Sequence, residues 1–166
     1  MAREQSSGGS AQHYGPRKAN TGLDNSVSTY GVVSQRELYH DYEQANAGLP
    51  TTNAEDDAGV LVIPANSLIV AAYYQVSGTA YTSGGAALLE IGVQGADGST
   101  VDSDGLDTLA VAALTANSCH VLDGALIGAT VGTADVQISL YVDDAIAVFT
   151  AGKGRLIVEY IAPYAS

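Results

Sequence analysis

At 166 residues, the chain has the length of one domain, or of one domain with an arm attached. Its residues are 46% hydrophobic but only 7% aromatic, and 19 glycines together with 14% charged residues favour a turn-rich β protein over a helical one. The single cysteine, Cys119, excludes a secreted scaffold held together by intrachain disulfides.

The net charge of −12 is distributed unevenly along the chain. Residues 1–49 contain four bases and five acids, whereas residues 50–166 contain two bases and thirteen acids, a net charge of −11. Because an acidic surface repels phosphates, we expect no nucleic-acid partner. The longest apolar run is interrupted and falls short of the roughly 20 residues that cross a bilayer. No basic and apolar leader is visible, so we expect neither a signal peptide nor a membrane partner.

Residues 1–32 are rich in Gly, Ser, Gln, Asn and Thr and show neither helical nor strand periodicity. Such a segment buries too little apolar surface to offset its own ordering entropy. It is therefore either a floppy tail or an extended N-terminal arm that a neighbouring molecule holds. The presence of Tyr14 and Tyr30 favours the arm.

The following segment, residues 33–58, is predicted to contain a short helix over about residues 35–46 and then an acidic linker. Ser34 and Glu37 have the spacing of a capping box, and Gly48 is a plausible stop. Four residues fall on one helical stripe: Leu38, Tyr39, Tyr42 and Ala45. A three-turn helix is marginal alone, so this stripe must pack either on its own domain or on a partner.

Residues 59–166 are predicted to form a β body. ADVQISLYVD and GRLIVEYI alternate cleanly between two faces, and GVLVI, ALLEIGV, HVLDGALIGA and AIAVFTA are further strand candidates. In LVIPANSLIVAAYYQV, Pro64 cannot sit inside a central strand, so LVI ends one strand, PANS makes a corner and LIVAAYYQV begins a longer strand. Residues 106–116 fit one helical turn or a further strand, and we favour the strand.

Turn signals occur between these runs, and they separate seven or eight short strands. The signals lie at residues 83–85, 96–98, 103–105, 123–124, 143–144 and 152–154. Without the spacing of βαβ units, the pattern predicts an antiparallel sandwich or barrel. We predict a mainly β chain: a jelly-roll-like antiparallel β-sandwich with an extended N-terminal arm and one short helix.

Motifs that carry catalysis are absent from the sequence. His13, His40 and His120 have no zinc-ligand spacing, and no G-x-S-x-G, P-loop or Rossmann fingerprint occurs. Cys119 and His120 are adjacent, and neighbours on a strand point to opposite faces, so they do not suggest a thiolate–imidazole pair. We predict no enzyme activity and no cofactor.

The acid-rich DGSTVDSDGLD does not fit the EF-hand pattern of a calcium loop, because Thr100 and Val111 occupy positions that need ligands. We expect its aspartates to make side-chain turns in a hairpin loop instead: Asp97, Asp102, Asp104 and Asp107. An irregular cation site at this loop, or at Asp143 and Asp144, stays open as the alternative.

The chain has ten tyrosines but one phenylalanine. Tyrosine combines a large apolar area with a polar tip, and together with arginine it is typical of interface anchors. We therefore predict a partner-binding set that precedes the β body: Tyr14, Arg17, Lys18, Tyr30, Arg36, Tyr39 and Tyr42.

The order of strands and turns over residues 60–163 carries a resemblance. The segments are IPANSLI, LLEIGVQGADGS, DGLDTLAVAALTA, VLDGALIGATVG, FTAGKG and LIVEYIAP. In this order the chain resembles the small head-decoration, or cement, proteins of tailed double-stranded DNA bacteriophages. The resemblance implies a β-sandwich that binds the outer face of the shell, with the major capsid protein as partner and a homo-oligomer, trimer or dimer, as its state.

On this interpretation the chain is a structural accessory protein, made in the host cytoplasm and then located on the capsid surface of the virion. The alternative is a head-fibre or tail-fibre module that binds a glycan or receptor through a groove lined by Tyr73, Tyr81 or Tyr141. An enzyme comes third, and it would need acids clustered in a cleft.

Overall fold

A computed structural model describes residues 33–48, 61–143 and 147–163. Within these ranges the chain forms ten strands and one short helix. The elements are β1 (Ser34–Asp41), α1 (Tyr42–Ala47), β2 (Val62–Ile63), β3 (Leu68–Val76), β4 (Thr82–Ser83), β5 (Leu88–Gly95), β6 (Thr100–Ala110), β7 (Cys119–Val121), β8 (Val136–Val142), β9 (Phe149–Ala151) and β10 (Lys153–Ile161).

Eight of the strands form two four-stranded sheets, and every pairing between them is antiparallel. The first sheet has the order β1-β10-β3-β7 and the second the order β2-β8-β5-β6, while β4 and β9 form a small separate pair. If β4 and β9 are set aside and the other eight strands are renumbered along the chain, the orders become 1-8-3-6 and 2-7-4-5. These are the strand orders of a jelly roll, which joins two Greek keys. The predicted mainly β, jelly-roll-like antiparallel sandwich with one short helix is confirmed, whereas the predicted N-terminal arm lies outside the described residues.

The core lies between the two sheets and is built from the inward-facing side chains of both. Along β10, Leu156, Val158 and Tyr160 are buried and alternate with half-buried residues, as the sequence pattern predicted. On β8 the pattern holds for Val136, Ile138 and Leu140. The core contains little aromatic bulk, so interlocking aliphatic side chains supply most of the buried apolar area.

The prediction around Pro64 is confirmed. β2 ends at Ile63, residues 64–67 make the corner, and β3 begins at Leu68. The corner is closed by a hydrogen bond from the Ser67 amide to the Pro64 carbonyl oxygen at 3.1 Å, and Asn66 has a positive φ of 56°. The corner carries the chain from the second sheet into the first.

The predicted helix over residues 35–46 is wrong in its first half. Ser34–Asp41 is a strand, because all eight of its residues pair with β10 and this ladder outweighs the local capping signal of Ser34 and Glu37. The helix begins at Tyr42, about two helical turns later than predicted. Asp41 is its N-cap and accepts a hydrogen bond from the Gln44 amide, while the Gln44 side chain accepts one from the Asp41 amide. The predicted stop is confirmed, since Gly48 is the C-cap with a φ of 79°.

Three expectations for the middle of the chain need correction. Residues 103–105 belong to a bulge inside β6 and do not form a turn. Ile91 of β5 pairs with Asp107, and Val93, two residues later, pairs with Asp102, so β6 has extra residues between the two pairs. Within residues 106–116, the strand ends at Ala110 and turns follow. HVLDGALIGA is a strand only as far as Val121.

Beyond Val121 the chain crosses between the two sheets, where Leu122 donates to Ala72 of β3 and Gly124 donates to Leu106 of β6. Position 124 requires glycine, because a Cβ there would lie 2.4 Å from the Leu106 backbone.

The division into residues 1–32, 33–58 and 59–166 stays a prediction, because residues 1–32 and 49–60 lie outside the described residues. What the structure adds is that β1 is an outer strand of the body's first sheet.

Candidate interaction surface

The predicted partner-binding residues do not form one cluster in the described structure. Tyr14, Arg17, Lys18 and Tyr30 lie outside the described residues. Of the rest, Arg36 and Tyr39 occupy opposite faces of β1, since they are three positions apart on a strand whose side chains alternate between two faces. Tyr42 opens α1, where its amide donates to the Gly152 carbonyl oxygen at 3.0 Å and its hydroxyl donates to Glu43 at 3.1 Å.

Tyr39 belongs instead to a polar network that sequence reasoning missed. Tyr39 is 64% exposed, and its hydroxyl donates to the Glu37 carboxylate at 2.8 Å. Arg155 of β10 donates to that hydroxyl at 3.1 Å and to Glu37 at 3.2 Å, and its guanidinium lies 5.6 Å from the Tyr39 ring centroid. The other end of the guanidinium donates to Gln75 of β3.

This network ties three strands together on the outer side of the first sheet. The hydrogen bond with Tyr39, helped by the Glu37 carboxylate, raises the pKa of Arg155. The guanidinium is therefore a fixed positive charge with an oriented fork, which is the form in which arginine serves as an interface anchor.

The strand registers define the whole outer face, which we call the β1–β7 face. Three rows cross the sheet from β1 towards β7. The first row holds Tyr39, Arg155, Gln75 and Cys119, the second holds Glu37, Ile157, Tyr73 and Val121, and the third holds Gln35, Glu159 and Ala71. Val121 is 71% exposed, so the second row presents apolar side chains to solvent.

A signal for this face was present in the sequence but incomplete. The alternation of GRLIVEYI placed Arg155, Ile157 and Glu159 on one side of a strand, yet the strand order that brings Tyr39, Tyr73 and Val121 beside them comes from long-range pairing. Local patterns carry no information about such pairing.

A buried polar cluster lies on the inner side of the same sheet. The two ring nitrogens of His40 lie 3.0 Å from the Tyr74 hydroxyl and 3.3 Å from the Tyr81 hydroxyl, and the Tyr74 hydroxyl donates to that of Tyr81 at 3.0 Å. We assign the imidazole proton to Nε2, because three bonds then close a ring: His40 donates to Tyr74, Tyr74 to Tyr81, and Tyr81 to Nδ1 of His40.

Burial controls the ionisation of this cluster. It lowers the pKa of His40 to about 4, although the carbonyl and carboxylate of Asp41 act in the opposite direction. It raises the pKa of Tyr81 to about 12 and that of Tyr74 further still. All three groups are neutral at pH 7, so the cluster supports the sheet and offers no charged group for catalysis.

The groove expected for a glycan-binding module is not assembled from the predicted tyrosines. Tyr81 is only 3% exposed and belongs to the core. Tyr73 lies on the β1–β7 face, whereas Tyr141 pairs with Glu90 on the outer side of the second sheet. Three residues in three separate places do not line one groove.

The acid-rich segment behaves differently from the expectation of a hairpin loop. Asp97 does make the expected turn, accepting from the Ser99 amide at 3.0 Å, but Asp102, Asp104 and Asp107 lie within β6. Partial burial of the Asp102 carboxyl, together with its contact with Asp104, raises the pKa of Asp102. Across residues 33–48, 61–143 and 147–163, no three His, Cys, Asp or Glu side chains come together as metal ligands would. Asp143 is included in that search, and Asp144 lies outside the described residues.

Cys119 and His120 lie on opposite faces of β7, as the sequence argument expected. Cys119 is exposed and pairs with Gln75, while His120 pairs with Tyr74 and its Nε2 lies 3.0 Å from the Ser118 hydroxyl. In the described part of the chain, the helical structure amounts to six residues of α1, and no helix there is long and apolar enough to cross a membrane.

Comparisons with known proteins give little further identification. No protein-family model matches the chain, and no curated protein matches it. Among solved structures, it is similar to a chain described as "Capsid of Ralstonia phage GP4", with 17% sequence identity, 82% of this chain and 88% of that chain covered, and a TM-score of 0.47. A likeness of this strength does not establish a shared fold or function.

Proposed function

We propose that the chain is a structural accessory protein of a phage head, which binds the outer surface of the shell and bridges neighbouring copies of the major capsid protein. On this proposal it has no catalytic role, is made in the host cytoplasm and is found on the capsid surface of the virion. The bases of the proposal are the resemblance over residues 60–163, the jelly-roll body and the attachment point of the N-terminal segment.

The attachment point is the observation that carries the proposal. β1 is an outer strand of the first sheet, and Ser34 at its start pairs with Tyr160 close to the end of β10. Residues 1–32 are thus joined to the body at the end of β1 that lies opposite to α1. They carry Arg3, Arg17 and Lys18 against two acids, a net charge of +1, whereas residues 50–166 carry −11.

A segment joined at this point is well suited to bridging. Extended chain covers at most about 3.3–3.6 Å per residue, so 32 residues reach on the order of 100 Å from the body. A polar segment with Tyr14 and Tyr30 gains buried area only where it meets another surface, and the ordering entropy is then offset on docking. Many copies on one shell add avidity.

The fold supports the same function. The resembling segments become the corner at Pro64, the turn from β5 to β6, and the passage from β9 to β10, so they specify a rigid scaffold and not a loop-built catalytic site. Jelly rolls occur in viral capsid proteins and in lectins, so the fold alone admits the glycan-binding alternative. Since Tyr73, Tyr81 and Tyr141 do not share a groove, the structural role is favoured.

The test is a binding experiment with heads that lack the protein. Purified full-length chain and a variant without residues 1–32 are mixed with such heads and cosedimented. We expect saturable binding of the full chain, and at least a tenfold weaker binding of the truncated chain, which keeps its circular dichroism and melting temperature. Equal occupancy by both proteins would refute the role of the arm, and no binding by either would refute the function.

A further inference from the structure

We infer that the β1–β7 face is a two-fold interface through which two copies of this chain associate back to back. This inference concerns the isolated protein and does not depend on the proposed role on a phage head. It rests on the charge of the face, on the order of side chains along it, and on its area.

The charge of the body leaves this face as the place where two copies can meet. Lys153 and Arg155 are the two bases among residues 50–166, and both project from the outer side of β10. The same face carries three acids, Glu37, Asp41 and Glu159, so with its two bases its net charge is −1. Two strongly acidic bodies repel each other across surfaces that carry acids alone, whereas this face is nearly neutral and its bases can meet acids of the partner copy.

The order of side chains along β10 is self-complementary. Reading outward-facing positions gives Lys153, Arg155, Ile157, Glu159 and Ile161, so a basic end and an acidic end flank an apolar centre. Consider a two-fold axis that lies between two such faces, perpendicular to the strands and level with Ile157. Rotation about this axis reverses the order of the three rows in the partner copy. It places Arg155 of each copy over Glu159 of the other.

The same axis stacks the second row on itself. Ile157, Tyr73 and Val121 then meet their counterparts in the partner copy, which removes the exposed Val121 from water. Glu37 also faces its counterpart, but each Glu37 is already held by Arg155 and Tyr39 of its own chain. Because the Arg155 network is formed before association, little side-chain entropy is lost on binding.

The area of the face fits a weak dimer. Its four strands contain 29 residues, and at about 4.8 Å between strands and about 3.3 Å per residue they span roughly 460 Å². Stable interfaces bury about 600–1,000 Å² on each partner, so we expect weak and reversible association through this face. Two sheets packed face to face in this way resemble the aligned packing inside a β-sandwich.

Sedimentation equilibrium of the full-length chain tests the interface, with Val121→Glu as the disruptive variant and Val101→Glu as its matched control. Val101 is also an exposed strand valine, 55% exposed, but it lies in β6 of the second sheet. We expect a dimer at about 100 µM protein, and at least a tenfold rise in the dissociation constant for Val121→Glu, since each copy adds an acid opposite its counterpart. The control should stay within about twofold of the natural sequence.

A chemical cross-link checks the position of the axis independently of stability. In a Cys119→Ser background, Ile157→Cys places one thiol at the axis, and Val101→Cys places one on the opposite sheet. A short bismaleimide should join two copies of the first variant and leave the second as single chains. Spacing of about 10 Å between packed sheets suits such a linker better than a direct disulfide.

Four results would overturn the inference. Two concern the oligomeric state: a monomer at about 100 µM, or a trimer, since a closed two-fold interface does not form trimers. The other two concern the variants: an equal effect of the two glutamate variants, or equal cross-linking of the two cysteine variants. Since no heads are present in these experiments, their failure leaves the head-binding proposal standing, and failure of head binding leaves the dimer standing.

Discussion

His40 makes the fold sensitive to acid, and the size of the effect follows from its burial. The imidazole is neutral inside the ring of hydrogen bonds with Tyr74 and Tyr81, and its pKa is about 4 in the fold against 6.5 in an unfolded chain. The unfolded chain therefore binds the extra proton between these values. Stability is fully present above pH 6.5 and is lost progressively as the pH falls towards 4.

The magnitude can be worked from the two pKa values. Between pH 7 and pH 5 the linkage relation gives a loss of about 2 kcal/mol, and the limit below pH 4 is about 3 kcal/mol. The Asp41 carboxylate beside the ring acts to raise the pKa of His40. The value of about 4 already includes this opposing effect. A loss of about 2 kcal/mol is a large share of the 5–15 kcal/mol that stabilises a typical domain.

Urea unfolding at pH 7 and pH 5, followed by tyrosine fluorescence and circular dichroism, measures this loss. Carboxylates titrate in every variant, so the comparison is between the natural sequence and His40→Gln, whose amide cannot take up the proton. We expect the variant to lose about 2 kcal/mol less than the natural sequence over the same interval. His120→Gln is the matched control, and its free energy of unfolding should fall between pH 7 and pH 5 by as much as that of the natural sequence.

Equal pH dependence of the natural sequence and His40→Gln would refute the reasoning. If His40→Gln does not fold, the titration of the His40 ring followed by NMR in the natural sequence decides the matter. A transition near pH 4 supports the buried, neutral assignment, and one near 6.5 contradicts it.

Two further predictions concern packing around the same end of the sandwich. Gly154→Ala should destabilise the fold by about 2 kcal/mol or more, because its Cβ would overlap the Tyr74 hydroxyl, whereas Gly78→Ala, with open space around it, should be neutral in the same thermal unfolding assay. Asn46→Ala should cost about 2–3 kcal/mol in urea unfolding, because the Asn46 amide donates to the Phe149 carbonyl oxygen at 2.7 Å and accepts from the Phe149 amide at 2.9 Å. A cost below about 0.5 kcal/mol in either destabilising variant would contradict the assigned contacts.

The parts of the fold that local chemistry specifies were predictable from the sequence. Pro64 has no amide hydrogen to give to a ladder, and the structure places the corner there, with β3 beginning at Leu68. The alternation in β8 and β10 likewise reported which side chains face the core. In these segments the local sequence pattern agrees with the long-range packing, so the pattern alone predicts which side chains are buried.

The failures occur where long-range pairing overrides a local signal. Ser34 and Glu37 have helix-capping spacing, yet β10 offers eight residues of ladder to the same segment, and the strand results. The signal for the true helix start was also present, since Asp41 and Gln44 have the same spacing. A choice between these two successive capping boxes depends on the partner strand, and the local sequence carries no information about that strand.

The candidate surface was only partly predictable for the same reason. Composition identified Tyr39 as an anchor, but Arg155 lies 116 residues further along the chain, and their contact exists because β1 and β10 pair. Arg36 was grouped with Tyr39 by nearness in sequence, whereas strand alternation separates them. Strand order, and not composition, decides which side chains form one face.

The copy number of the chain in purified virions tests the central claim most directly. If the chain belongs to a phage head as proposed, quantitative mass spectrometry of purified virions gives its ratio to the major capsid protein. A head-decoration role predicts a fixed ratio amounting to many copies on each shell, and loss of the chain should leave heads that rupture more readily. Absence from the virion, or the few copies that a tail fibre contributes, would contradict the account.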